Sequence, residues 1–225
     1  MTSRMNATLR LLVILVAGAV ALASASEVLG GRRRADGGLT SPDGDTLAIT
    51  GTTRAAGLRF APGVAPADRE WVRAAIARAR PEAARLIAEV DGLVRLGTAA
   101  ENGALGVTRS GPDGFVIDLD MARLDNDRVM DRATVVLHEL GHVIDFALVP
   151  EALDVALEAQ IPRGGPCGLA IDCERAEERF ADTFAKWALN GAVSEVGAGY
   201  GVPMPASIED WGAPLAQLSL RLPSA

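Results

Sequence analysis

The two histidines of this 225-residue chain lie four residues apart, in the segment His138-Glu139-Leu140-Gly141-His142. On a helix, residues i and i+4 stand one above the other on the same face, so both imidazoles can bind one metal ion. The glutamate between them, Glu139, can then hold and deprotonate a metal-bound water. The alternative is that the spacing arose by chance and carries no chemistry. The motif predicts His138 and His142 as metal ligands and Glu139 as the catalytic base.

A catalytic zinc site usually has three protein ligands and one open position, so one ligand is still missing. The chain has no third histidine, and the sequence therefore predicts a carboxylate. The best source is a helix predicted over 176–187, where Glu178 and Asp182 lie at i and i+4 on a face other than the apolar one. Such a pair can supply a ligand and an orienting group, or it can form an ordinary solvated acidic face. Asp145, three residues after His142, is expected to orient a histidine or nearby backbone.

Two helices must present these groups. The metal helix is predicted over 127–148, with Asp125 or Asn126 as its cap and Pro150 after its end. Within that helix Gly141 favours close packing or close approach of a substrate, and the sequence does not distinguish the two. An earlier helix is predicted over 66–91, kinked or divided at Pro81.

The remaining elements are short strands, predicted at 46–50 and 58–60 and in a hairpin. The hairpin turn is predicted at 111–114, between a strand that contains Leu105 and Val107 and a second strand over 115–119. The second strand is either an ordinary interior strand or the one that lines the cleft and pairs with an extended substrate.

The N-terminal 25 residues are expected to be a cleaved export signal. Arg4 and Arg10 precede the apolar run 11–22, and 23–25 form a small-x-small cleavage site. An uncleaved anchor is the alternative, but the arginines at 32–34 would then lie on the wrong side of the membrane. We expect a secreted protein, with residues 26–44 as a flexible linker or pro-segment and 45–225 as the folded domain.

Charge and cysteine content agree with that location. The formal net charge is −7, which gives no electrostatic reason to bind nucleic acid or an anionic membrane, so contact with a membrane is expected only if the N-terminal segment is retained. Cys167 and Cys173 are expected to form one disulfide in an exported protein, with two free thiols as the alternative. The short loop that they would close contributes about 2 kcal/mol.

The segments HELGHVID and EERFADTF resemble the anthrax-lethal-factor-like branch of the gluzincin metallopeptidases, which includes the Pro-Pro endopeptidases. The shared patterns are H-E-x-G-H-x-x-D and E-x-x-A-[DE]-x-F, and the resemblance covers roughly residues 127–190. It implies that His138, His142 and Glu178 bind one zinc ion and that Glu139 is the general base. Asp145 and Asp182 match positions that hold the ligands in place.

The chain departs from this family at one position. The family usually has a tyrosine seven residues before the ligand glutamate, where it stabilises the oxyanion, and here that residue is Ile171. The only tyrosine, Tyr200, lies after the glutamate helix and is either a replacement donor or a packing residue. One such donor contributes about 3 kcal/mol to the transition state, so without it the activity should be lower.

The resemblance implies an α+β zincin-like domain, with a small mixed sheet above the metal helix and the glutamate helix in a C-terminal subdomain. It also implies an exported zinc metalloendopeptidase that hydrolyses a peptide or protein substrate. The alternatives are an amidase or toxin-like protease with a narrow target and a zinc-binding module without turnover.

Overall fold

The structure is a computed structural model that describes residues 39–40, 46–47, 57–98, 104–126, 132–163, 175–191 and 201–222. The predicted export signal, the predicted disulfide between Cys167 and Cys173, and the residues Ile171 and Tyr200 lie outside these ranges. Within them, no helix is both long enough and apolar enough to cross a lipid bilayer.

Four strands form a mixed sheet in the order β3-β4-β6-β5. The strand β4 pairs in parallel with both β3 and β6, and β5 pairs antiparallel with β6 at one edge. A separate two-stranded antiparallel ladder joins β1 and β2, and β1 falls within the segment interpreted as a linker. The strands are β1 (Leu39–Thr40), β2 (Thr46–Leu47), β3 (Arg59–Phe60), β4 (Val94–Gly97), β5 (Gly106–Gly111) and β6 (Gly114–Leu119).

The hairpin β5–β6 forms where the turn residues predict it. Gly111 pairs with Gly114 across the turn, and Gly114 has φ 115°, a conformation that glycine adopts without strain. In β6 the side chains of Phe115, Ile117 and Leu119 are buried on one face, as the alternation predicts. The strand β6 is interior, between β4 and β5, so β5 is the strand at the edge.

The described residues form seven α-helices and one short 3-10 helix at Asp91–Leu93. Pro81 divides the first predicted helix into two, as expected, because it occupies the first turn of the second one, where no amide hydrogen is needed. The helices are α1 (Pro66–Ile76), α2 (Pro81–Val90), α3 (Met121–Asn126), α4 (Arg132–Leu148), α5 (Glu151–Glu158), α6 (Ala176–Ala188) and α7 (Ile208–Arg221).

The prediction that Asp125 or Asn126 caps the metal helix is wrong. Both residues lie within helix α3, whose described part ends at Asn126, and the described part of the metal helix α4 begins at Arg132. The predicted start of the metal helix falls in residues 127–131, which lie outside the described residues. The C-terminal end agrees with prediction, because α4 ends at Leu148 and Pro150 lies at the N-cap of α5.

The metal helix α4 lies between the sheet and α6, and it is buried on nearly every side. Its residues from Ala133 to Asp145 are all buried, which is the pattern of a helix enclosed by other elements. On one side the strand β5 contacts it, and on the other α6 packs along it. The aromatic residues Phe180 and Phe184 of α6 belong to the same hydrophobic core as Leu137 and Leu140 of α4. The fold is therefore α+β with a small mixed sheet.

Gly141 sits at the closest contact between α4 and α6. A Cβ atom at this position would lie 3.0 Å from Cα of Ala181 and 3.2 Å from its carbonyl oxygen. Of the two roles left open for this glycine, the structure shows close packing. The bare backbone lets the helix that carries Glu178 lie directly against the helix that carries the histidines.

Candidate metal centre

The two histidines share one face of α4 and point to the same place. His138 is 1% exposed and His142 is 7% exposed. Their ring centroids are 4.8 Å apart with the planes at 88°, and the two Nε2 atoms are 3.2 Å apart. The i, i+4 spacing therefore brings the two ring nitrogens together, as the sequence predicts.

The third member of the group comes from the first turn of α6. Glu178 Oε2 is 3.2 Å from His138 Nε2, and Glu178 Oε1 is 3.7 Å from His142 Nε2. One ligand atom from each of the three residues can be chosen so that all lie within 4.8 Å of one another. His138, His142 and Glu178 thus form a group that could hold a metal ion.

The neighbouring glutamate faces elsewhere. Glu177 forms a short ion pair with Arg175, the residue before α6, and lies outside the histidine cluster. Successive helical residues point about 100° apart, which explains why only one of the two glutamates reaches the histidines. Between them, the structure places Glu178 at the site.

Burial keeps both imidazoles neutral. Desolvation lowers the pKa of His138 to about 4, an effect that the nearby Asp182 carboxylate partly offsets. Desolvation, together with the adjacent His138, lowers the pKa of His142 to about 3. Neutral imidazole is the form that binds a metal, so at neutral pH no proton has to leave either ring.

Glu139 lies against the edge strand β5. It is 2% exposed, and its Oε2 accepts a hydrogen bond of 2.7 Å from Thr108 Oγ1 of β5. The same hydroxyl lies 3.1 Å from the Glu139 carbonyl oxygen. Gly106, two residues earlier in β5, leaves room beside the carboxylate, because a Cβ there would lie 2.6 Å from Oε1. The edge strand therefore holds the predicted base.

Asp182 and Asp145 are both buried. Asp182 is fully buried, and its Oδ2 accepts a 2.6 Å bond from Lys186 Nζ one turn later. Lys186 Nζ also donates to the Val202 carbonyl oxygen at 2.5 Å. Asp145 is 3% exposed. Neither aspartate is a solvated surface charge, and the Asp182 carboxylate raises the pKa of His138 against the larger effect of burial.

Sequence reasoning missed three residues near the site: Gly106, Thr108 and Lys186. The contact between β5 and α4 that brings Thr108 to Glu139 joins residues 31 positions apart, and no local pattern indicates it. Lys186 could have been predicted from the sequence, because a lysine four residues after an acid on a helix commonly pairs with it. The pair of Lys186 and Asp182 is buried together with the neighbouring aromatic residues Phe184 and Trp187.

The three residues of this group differ in their exposure to solvent. The Glu178 side chain is 18% exposed, compared with 9% for His142 and 1% for His138. A molecule from solution would therefore meet Glu178 first and His138 last.

We compared the chain with models of known protein families, with curated protein sequences and with solved structures, and no significant match was found.

Proposed function

We propose that this protein is an exported zinc-dependent endopeptidase with a zincin-like fold. The proposed zinc ligands are His138, His142 and Glu178, and the proposed general base is Glu139. The observation that carries the proposal is the convergence of two neutral histidines and one carboxylate from two separate helices, with a glutamate next to the first histidine.

The donor set and its dimensions support zinc. With metal–ligand bonds of about 2.0–2.1 Å, the ligand atoms of a tetrahedral zinc site lie about 3.4 Å apart. The separations here are 3.2 Å between the histidine nitrogens, and 3.2 Å and 3.7 Å from those nitrogens to the Glu178 oxygens. Among the described residues the group consists of two histidines and one carboxylate, which would leave the fourth position of a tetrahedral ion open, as in a catalytic site.

The proposed reaction uses the groups that surround this position. Zinc, when bound, polarises the scissile carbonyl and lowers the pKa of a water molecule to about 7. Glu139 accepts a proton from the attacking water and passes it to the leaving amine. Asp182, which is buried and paired with Lys186, is the proposed orienting group for the ligands. A peptide or protein substrate enters from the side on which Glu178 is exposed.

Export is supported by the N-terminal sequence. The basic start, the apolar run 11–22 and the small residues at 23–25 have the order of a cleaved signal. N-terminal sequencing of secreted material tests this part of the proposal, because a mature protein should begin at or near Ser26. A membrane-retained product that keeps Met1 would favour an anchored enzyme with the same site.

The enzymatic part is tested by metal analysis of the mature protein together with cleavage of a broad peptide library. We expect one zinc per chain and cleavage that a chelator abolishes. Glu139→Gln is the matched control, because it keeps the size and hydrogen-bonding capacity of the side chain but removes the base. This variant should retain zinc and lose nearly all cleavage. Full activity in this variant would show that the cleavage has another source.

A zinc-binding module without turnover is the second candidate. The observation that favours it is Ile171, at the position where the resembling family has its oxyanion-stabilising tyrosine. Stoichiometric zinc in the parent protein without cleavage of any library member would select this candidate. Cleavage confined to one or a few sequences would instead indicate a protease with a narrow target.

A further inference from the structure

The face of β5 that lies over α4 carries only small side chains. Pairing of Thr108 with Ile117 places Thr108 on the same side of the sheet as that buried isoleucine, and Gly106 and Ser110 share this side. Larger residues would keep the strand away from the helix. Because these side chains are small, the strand lies close enough to α4 for Gly106 and Thr108 to contact Glu139.

The hydrogen bond from Thr108 is directed at one particular oxygen of the base. A hydroxyl has a single proton to donate, and the carboxylate Oε2 at 2.7 Å is a nearer and stronger acceptor than the carbonyl oxygen at 3.1 Å. Donation to Oε2 fixes the rotation of the carboxylate. The other oxygen, Oε1, lies on the side of Gly106.

Gly106 makes room for that second oxygen. A Cβ at position 106 would lie 2.6 Å from Oε1, 2.7 Å from Cγ and 2.8 Å from Cδ of Glu139. Any side chain larger than hydrogen would force the carboxylate out of this position. The glycine and the threonine therefore act on the same group from the same strand, one by donating a hydrogen bond and one by leaving space.

We propose that Thr108 is a positioning residue for the general base, and that Gly106 provides the space in which Glu139 is held. This inference rests on the proposed function, in which Glu139 accepts a proton from water. Thr108 donates to Oε2 and so restricts the rotation of the carboxylate that accepts the proton. Because Thr108 belongs to the edge strand, the position of the base depends on where that strand lies.

The decisive variant is Thr108→Val, which keeps the shape of the side chain and removes the donor. We expect kcat to fall 10- to 100-fold, as is typical when a group that orients a catalytic residue is lost, while KM and zinc content stay unchanged. Thr108→Ser restores the hydroxyl and should recover most of the activity. Ser110→Ala is the matched control, because it removes an exposed hydroxyl from the same face of the same strand and should have no effect.

A second measurement does not depend on turnover. Acetohydroxamate binds zinc and donates a hydrogen bond to a neighbouring base, whereas imidazole only binds the metal. Calorimetry on the zinc-loaded protein should show acetohydroxamate binding weakened about 10-fold in Thr108→Val, with imidazole binding unchanged. Gly106→Ala should weaken the binding of acetohydroxamate to a similar extent, without loss of zinc.

The outcomes separate this inference from the proposed function. If the parent cleaves peptides and Thr108→Val cleaves them equally well, the role of Thr108 is rejected and the proposed function stands. If the zinc-loaded parent cleaves nothing, the peptidase proposal fails, and the binding of acetohydroxamate then tests the role of Thr108. Weaker binding in Thr108→Val than in the parent supports the positioning of Glu139. Equal binding in the two proteins rejects it. A parent that binds no zinc rejects both.

Discussion

At the scale of single residues, the assignment of the third ligand depends on one step along α6. Glu177 and Glu178 are adjacent and chemically identical, yet one is paired with Arg175 and the other lies 3.2 Å from His138. A positive N-terminal helix dipole favours a carboxylate at either position, so the dipole does not choose between them. The choice comes from the direction in which each side chain leaves the helix.

Two matched substitutions test this assignment. Glu178→Ala removes one of three ligands and should eliminate stoichiometric zinc from the purified protein. Glu177→Ala breaks only an ion pair outside the histidine cluster and should leave zinc content unchanged. Metal analysis after dialysis measures both. Loss of zinc in Glu177→Ala but not in Glu178→Ala would move the ligand by one residue.

Lys186 is the buried cation of this region, and its removal should be costly. Its side chain is 4% exposed and its partner Asp182 is fully buried, so Lys186→Met leaves a buried carboxylate without its cation. Breaking a buried pair in this way costs about 3–5 kcal/mol of the free energy of unfolding. Urea denaturation measures the loss. Glu70→Gln, which neutralises an exposed pair with Arg73, is the control and should cause no measurable change.

At the same scale, the sequence predicts ligands better than it predicts their surroundings. His138, His142 and Glu178 lie on two helices with strong local patterns, and the structure brings them together. Thr108 reaches Glu139 only because the hairpin lies against α4. That contact depends on tertiary packing, and no spacing within the chain encodes it. Tyr200, for which the sequence leaves a donor role and a packing role as alternatives, lies outside the described residues.

At the scale of the elements, Gly141 sets the distance between the two ligand helices. An alanine in its place would gain about 1 kcal/mol of helix propensity. Its Cβ, however, would lie 3.0 Å from the Ala181 backbone and 3.2 Å from the Phe184 ring, both of which are buried. Overpacking of this kind costs about 1–3 kcal/mol and outweighs the gain.

Gly141→Ala is therefore expected to destabilise the protein and to weaken zinc binding, because the helices that carry the ligands must move apart. Chemical denaturation and a zinc titration measure the two effects. Ala156→Gly on the exposed face of α5 measures the propensity difference alone, and should cost about 1 kcal/mol without any change in zinc affinity. A stabilised Gly141→Ala variant would show that the two helices have room to spare.

Most elements with a clear period or clear end signals lie where the sequence predicts them, including the interior strand β6, whereas β4 and α7 were not predicted. Pro81 and the hairpin turn at 111–114 gave the division of the first helix and the pairing of β5 with β6. The strand β4 was missed because it has only four residues, Val94–Gly97, and follows the preceding helix after a single 3-10 turn. The helix α7 was missed although Ser207 caps it, because Pro214 interrupts its pattern.

At the scale of the whole molecule, the proposed metal centre joins parts of the chain that are far apart in sequence. The histidines belong to α4 and the glutamate to α6, and the segment 164–174 between them includes both cysteines. A ligand that binds the folded chain and not the unfolded one stabilises the folded state by mass action. Zinc bound between α4 and α6 should therefore stabilise the folded state, in addition to its proposed chemical role.

The size of this effect can be estimated and measured. At a free zinc concentration about 1,000 times Kd, the stabilisation is about 4 kcal/mol, which for a domain of this size raises Tm by about 8–16 °C. Differential scanning calorimetry of the protein with zinc and after chelation should show this difference. Glu178→Ala should show almost no difference in Tm between the two conditions, because this variant should be free of metal in both. If chelation removes the zinc from the parent and leaves its Tm unchanged, the metal lies somewhere other than between α4 and α6.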